Sequence, residues 1–196
     1  MFVRLAKVKD CQEIYELIST GDSGMTTLPK SKEQVLERIN WSKRSLNKKI
    51  KKPGKDSYLF VLKDNNRIVG ISAIYTSVSK NGSSVFFKRK KINISSRSLK
   101  FKKSLDVIQL YRVNTPYTEL GTLFLHPKYR GKGRGSLLSL ARFKFMALWP
   151  ERFDKSVVAE IRGKVDKDDN SIFWKHFSRH FFDENIFNNN EISYID

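Results

Sequence analysis

Two periodicities divide the chain. Phe2 to Leu5 alternates apolar and polar positions, which predicts a short strand, and Asp10 then stands where an N-cap belongs. Ile14, Leu17 and Ile18 follow at helical spacing and predict a first helix. Gly-Asp-Ser-Gly and Thr-Thr-Leu-Pro, between Gly21 and Pro29, break that pattern into a loop. Ser31 with Gln34 three positions on reads as a capping box for a second helix carrying Val35, Leu36, Ile39 and Leu46. That helix runs into a basic stretch, Lys48 to Lys55, broken at Pro53-Gly54.

The pattern then turns to strands. Tyr58-Leu59-Phe60-Val61-Leu62 and the run from Ile68 to Tyr75 flank Asp64-Asn65-Asn66, a β-hairpin signal. Residues 80 to 104 are polar and basic, strand-like only around Val85-Phe86-Phe87, and predict no clear element. Leu120 to Leu125 predicts an apolar strand, Pro127 to Gly133 a turn, and Ser136 to Leu148 a helix. Val157 to Ile161 reads as another buried strand, followed by a helix through Phe173, Trp174 and Phe177. This mixed order, without internal repeats or a linker, predicts one α/β or α+β domain over residues 1–196, with a sheet covered by helices.

Composition narrows the class. A chain of 196 residues can bury roughly 70% of its unfolded surface and needs no staple or metal to fold. The single cysteine, Cys11, excludes an internal disulfide framework. The N-terminus is too charged for a signal peptide and no apolar run approaches membrane-spanning length, so a soluble, cytoplasmic protein without a membrane partner is expected. The net charge of +18 favours polyanions, whether nucleic acid, anionic membrane or a phosphorylated cofactor, and also fits a composition rich in Lys, Asn and Ile. A nucleic-acid module would use Lys48 to Lys55 and Lys88 to Lys103, with Phe86, Phe87 and Phe101. His176 and His180 are four apart but lack an intervening Glu and a third ligand, so a solvated helix face and no metal are expected.

One segment carries a specific chemistry. After Leu123-Phe124-Leu125 comes His126-Pro127-Lys128-Tyr129-Arg130-Gly131-Lys132-Gly133-Arg134-Gly135-Ser136, then an apolar helix. A glycine-rich turn between strand and helix lets the backbone approach a ligand, and successive N–H groups at the helix start converge on one point. The helix dipole, Arg130, Lys132 and Arg134 add positive potential. Phosphate is the ligand such a turn suits. The spacing is neither a P-loop nor a dinucleotide fingerprint. Arg-x-x-Gly-x-Gly, at Arg130, Gly133 and Gly135, instead resembles the acyl-CoA pyrophosphate turn of the GNAT acyltransferase superfamily. The candidate cofactor contacts are Leu123, Phe124, Leu125, Arg130, Gly131, Lys132, Gly133, Arg134, Gly135 and Ser136.

Separated segments along nearly the whole chain resemble the arginine N-succinyltransferase family: Gly24 to Pro29, Tyr58 to Leu62, Val69 to Ile74, Glu119 to Leu125, Arg142 to Ala147, Val157 to Gly163, and Phe173-Trp174. The resemblance implies a mixed, mostly antiparallel sheet with helices on both faces. It also implies succinyl transfer from succinyl-CoA to the α-amine of L-arginine, in arginine catabolism. The family's cofactor contact falls on Leu123. Its proposed catalytic histidine lies in a Pro-Lys-His-Pro-Ile-Tyr segment that this chain does not contain, and His126, His176 and His180 do not match it. Two expectations follow: a form that binds CoA without efficient turnover, or a homo- or hetero-oligomer supplying the other half.

Amine acylation needs a deprotonated amine and a polarised thioester carbonyl. Main-chain N–H groups where the cofactor strand splays from its neighbour would supply the second. Glu119 and Glu160 are the candidate general bases, or else carboxylates that bind cationic groups. Glu160 with Arg162 offers paired contacts for arginine's two charged ends. Met25, Thr26 and Thr27 lie in the loop expected to close over the acceptor. The alternatives are a general GNAT N-acetyltransferase using acetyl-CoA on another amine, a nucleic-acid-binding module, and a binding-only subunit.

Overall fold

The computed structural model describes residues 1–21, 28–78, 84–161, 163–167, 170–178 and 180. Strand β1 (Phe2–Leu5) leads to α1 (Cys11–Ser19) and α2 (Lys32–Asn47). β2 (Ser57–Asp64) and β3 (Arg67–Val78) follow, then β4 (Ser84–Ser96) and β5 (Phe101–Val113). The last part holds β6 (Tyr117–Leu125), α3 (Arg134–Leu148), β7 (Val157–Val158) and α4 (Ile172–Ser178).

Five strands form one sheet in the order β1-β2-β3-β6-β7. Every pairing in it is antiparallel except β6 with β7. Alternation along β2 sorts the core into two layers. Leu59 and Val61 point to one face, where they pack with Ile14 and Leu17 of α1 and Val35 and Ile39 of α2. Tyr58, Phe60 and Leu62 point to the other, where Phe145 and Leu138 of α3 cover them. Helices therefore lie on both faces of a mostly antiparallel sheet, as the resemblance implied.

Several local readings are met and some are corrected. Asn65 and Asn66 have φ of 42° and 66°, the paired left-handed residues that close a tight hairpin whose twist matches its strands. Ser31 accepts from the Gln34 N–H at 3.3 Å, while the Gln34 side chain reaches back to the Lys30 N–H at 2.7 Å. Asp10 stands at the N-cap position of α1, as read, but its side chain makes no cap bond to that helix. Its carboxylate takes the Lys7 N–H at 2.7 Å and pairs with Arg4 at 2.6 Å, so a short 3-10 turn precedes α1. Leu36 and Leu46 are exposed on α2. The buried positions there are Val35, Ile39, Ser42 and Ser45, and the hydroxyls of the two serines accept the Leu59 and Ser57 N–H groups at 2.9 and 3.1 Å.

Two larger corrections concern strands. Residues 84–113, which include most of the stretch 80 to 104 that read as strand-like only around Val85-Phe86-Phe87, form a separate antiparallel hairpin in register from Ser84–Val113 to Ser96–Phe101. It lies outside the main core: Phe87, Ile92, Ile94, Leu110 and Tyr111 remain exposed, which hid any one-sided apolar alternation. The expected buried strand Val157 to Ile161 is only two residues long, with Val157 exposed and Ile161 91% exposed. As an edge strand it pairs with β6 at Thr118 and Glu119 alone, and the chain then leaves the sheet.

Candidate active site

The departure of β7 opens a splayed junction beside β6, and the sequence of β6 shapes its wall. Ile71 pairs with Phe124 and Ala73 with Gly121, so the single residue Ser72 faces both Thr122 and Leu123. This is a β-bulge, and Thr122 takes φ of 50°, rare for a β-branched residue. Leu123 is 42% exposed in the middle of the sheet, whereas Phe124 is buried against α1 and Leu125 packs near Leu138. Of the three candidate contacts on this strand, only Leu123 offers its side chain. Phe124 can contribute main chain alone.

Beyond Leu125 the chain enters the turn. His126 accepts the Lys128 N–H on Nδ1 at 3.2 Å and meets the Tyr129 ring edge-on, which closes a 3-10 turn at Pro127–Tyr129. Gly131, Lys132 and Gly133 then take three consecutive positive φ values, 92°, 50° and 72°. A Cβ at Gly131, Gly133 or Gly135 would meet nothing within 4 Å, so this side of the backbone is open. Gly133 is the N-cap of α3 and has no side chain to offer. The Arg134 N–H bonds to Gly131 O and the Leu137 N–H to Gly133 O. Those of Gly135 and Ser136 have no partner among the described hydrogen bonds.

The cations around the turn divide in two. Arg130 and Lys132 are exposed. The Arg134 side chain instead approaches Asp64 at 3.9 Å, lies over the Tyr129 ring and donates to Tyr129 O at 3.5 Å. It ties the turn to the β2–β3 hairpin. Amides without a partner among the described hydrogen bonds, a helix N-terminus and flanking cations are groups that suit an anion, and they fit the pyrophosphate of an acyl-CoA.

On the α2 face of the junction lies a polar group that the hydrophobic pattern does not show. Arg38 donates to the Tyr75 hydroxyl at 2.7 Å, and that hydroxyl bonds to Thr122 Oγ1 at 3.0 Å. Trp41 flanks the Tyr75 ring. Glu119 is half-buried in this wall, not at a strand end. A Cβ on Gly121 would come within 3.3 Å of its Oε1 and 2.7 Å of Tyr75 Cε2, so glycine is required there by close approach. Burial holds the Glu119 carboxyl above its ordinary range. The nearby Glu160 carboxylate pushes the same way and the Arg38 guanidinium opposes both. Glu160 is exposed, just past β7.

The structure thus brings Glu119 and Glu160 to one junction, with the strand and turn candidates along its wall and end. Met25, Thr26, Thr27 and Arg162 lie outside the described residues. Arg38, Tyr75, Thr122 and Arg142 of the α3 face were not foreseen. An arginine on the stripe Leu138, Arg142 and Phe145 was the available signal, since that spacing faces the core. Among the described residues no group of three or more His, Cys, Asp or Glu could hold a metal ion. No helix among them is long and apolar enough to cross a membrane.

Comparison with solved structures defines the fold. The chain superposes on subunit AI of arginine/ornithine succinyltransferase from Pseudomonas aeruginosa with a TM-score of 0.78 and 31% identity, covering 92% of this chain and 55% of that one. The family model described as arginine N-succinyltransferase beta subunit matches residues 1–194, and the chain belongs to that family. The arginine N-succinyltransferase of Yersinia pestis (strain Pestoides F) is 38% identical over 186 residues, 93% of this chain and 52% of its own. The arginine N-succinyltransferase subunit beta of Pseudomonas aeruginosa is 33% identical over 183 residues, 93% of this chain and 54% of its own. The chain spans about half the length of the relatives it matches.

Proposed function

We propose that this chain binds succinyl-CoA through the turn at Gly131–Ser136 and serves transfer of the succinyl group to the α-amine of L-arginine, as a cytoplasmic enzyme of arginine breakdown. The observation that carries the binding half is the run of left-handed residues Gly131, Lys132 and Gly133 ahead of the unpartnered Gly135 and Ser136 amides. Family membership supports the acyl group and the acceptor.

In the reaction the amine nitrogen attacks the thioester carbonyl carbon, the C–S bond breaks, and the amine proton leaves to a base while the thiolate takes a proton. The bulged backbone at Thr122 and Leu123 is placed to polarise the carbonyl through main-chain N–H groups. Glu119 is the candidate base, because a half-buried carboxyl with a raised pKa accepts a proton nearer to neutral pH than an exposed one. Glu160 adds a second negative charge, which suits a cationic acceptor. The relatives run to about twice the length matched here, and groups used in turnover can lie in their unmatched part. Binding and turnover are therefore separate questions.

Thermal unfolding with CoA, acetyl-CoA and succinyl-CoA, with and without L-arginine, tests the reading. A ligand at about 100 times its dissociation constant stabilises by about 2.7 kcal/mol. The largest shift is expected with succinyl-CoA, and no shift with any CoA species overturns the proposal. Thiol release upon adding L-arginine then reports turnover.

A further inference from the structure

Among the described residues three charged side chains are buried: Asp10, Asp56 and Arg142. Asp10 pairs with Arg4 at 2.6 Å and Asp56 with Lys48 at 2.5 Å. Arg142, 4% exposed, has no such partner. Its three acceptors are neutral: Ser139 Oγ at 2.9 Å, Gly121 O at 3.3 Å and Ser139 O at 3.4 Å. Desolvation lowers its pKa, and no carboxylate offsets that. A guanidinium taken out of water costs several kcal/mol unless a counter-charge is supplied. Nothing in the packing of α3 asks for one, since Leu138 and Phe145 on the same stripe are ordinary core residues.

The position of this cation is informative. The parallel ladder between β6 and β7 ends at Glu119 and Val158, and Gly121 lies two residues beyond, where its carbonyl takes an Arg142 N–H. Arg142 therefore stands at the splayed junction, beside the bulge at Thr122. It is eight residues into α3 from Arg134, about 12 Å along the axis at 1.5 Å per residue, and so far from the phosphate end. The other cation of the junction, Arg38, already bonds the Tyr75 hydroxyl and lies by Glu119 on the opposite face.

Resting on the acyl-CoA reading above, we infer that Arg142 is the acyl-selectivity residue, its guanidinium pairing with the distal carboxylate of a dicarboxylic acyl-CoA. A carboxylate on the Nη1–Nη2 edge displaces the bonds to Gly121 O at 3.3 Å and Ser139 Oγ at 2.9 Å, since a planar guanidinium meets a carboxylate in a two-pronged pair stronger than contacts to neutral oxygens. Neutral acyl chains leave the charge uncompensated, so the residue both attracts the anionic acyl group and rejects its uncharged isostere.

The test is calorimetric titration of the chain with succinyl-CoA, with butyryl-CoA as its uncharged four-carbon analogue, and with CoA. Replacing Arg142 by Gln is expected to weaken succinyl-CoA by about 10-fold or more, with butyryl-CoA and CoA held within about two-fold. Equal weakening of all three, or none, overturns the assignment and leaves Arg142 a strut for Gly121. If Arg142→Gln does not fold, Arg142→Lys keeps the charge without the fork, and a loss confined to succinyl-CoA is again required. Wild-type protein that binds none of the three overturns the acyl-CoA reading itself. Wild-type protein that binds succinyl-CoA no better than butyryl-CoA overturns only the role of Arg142.

Discussion

The two ends of the candidate cleft are built from different materials. At the proposed phosphate end the candidate groups are main-chain amides, presented by three left-handed residues contiguous in the chain, and the cations there are exposed or turned aside to Asp64. At the acyl end the groups are side chains: Arg38 from α2, Tyr75 from β3, Glu119 and Thr122 from β6, Arg142 from α3 and Glu160 from beyond β7. A backbone site tolerates most side-chain changes and fails on changes of φ or charge at its glycines. A side-chain site assembled from several elements fails one contact at a time.

The largest expected effect tests the first half of this contrast. Gly133→Asp places a carboxylate on the open side of the turn, where a Cβ meets nothing, and should weaken CoA binding by about 100-fold, about 2.7 kcal/mol, without unfolding the protein. Calorimetric titration together with circular dichroism checks it. Unchanged affinity in a folded variant removes the turn from the site.

Next is Gly121→Ala at the acyl end. The new methyl group falls 2.7 Å from Tyr75 Cε2, and forcing it in should cost about 1–3 kcal/mol of stability in urea unfolding. Affinity for CoA itself should hold. If it falls as far as in Gly133→Asp, the two ends are not separable.

Glu119→Gln gives a pH-dependent effect. The folded carboxyl titrates above its unfolded value of about 4.3, so its contribution to stability is fully present below that pH and is lost as pH rises through the folded pKa. Glutamine does not titrate. The difference in melting temperature should therefore move in the variant's favour as pH rises from the unfolded value of about 4.3 through the raised folded pKa, and a flat difference contradicts the burial of Glu119. The smallest effect belongs to Lys132→Ala. An exposed cation beside a phosphate should be worth only about two- to five-fold in CoA affinity, shrinking as salt is raised. A larger, salt-insensitive loss would mean that the side chain, not the backbone, holds the anion.

Legibility followed the same division. The phosphate turn could be read from residues 123–136, because a strand, a glycine-rich turn and a helix start are local and each has its own pattern. The hairpin at Asn65-Asn66 and the helical stripes of α1 and α2 were legible for the same reason. Residues 84–113 were not, because strands that pair mainly with each other outside the core carry apolar residues on both faces, and their alternation blurs. The strand Val157 to Ile161 was overread, since a β-branched run looks buried whether or not a second neighbour covers it.

The acyl end shows where such reading stops. Arg38 reads as one solvated charge among many, Tyr75 as the last apolar residue of a strand, and Arg142 as an interruption in an apolar helix. By itself the amino-acid order determined the first two helices, the β2–β3 hairpin and the strand, turn and helix around Gly133, because those depend on spacing along the chain and on backbone conformation. Only the tertiary structure decided that β7 leaves β6 after Glu119, that Thr122 bulges toward Tyr75, and that a buried guanidinium reaches Gly121 O. Those contacts join residues from α2 to β7, and no periodicity encodes a meeting between side chains so far apart.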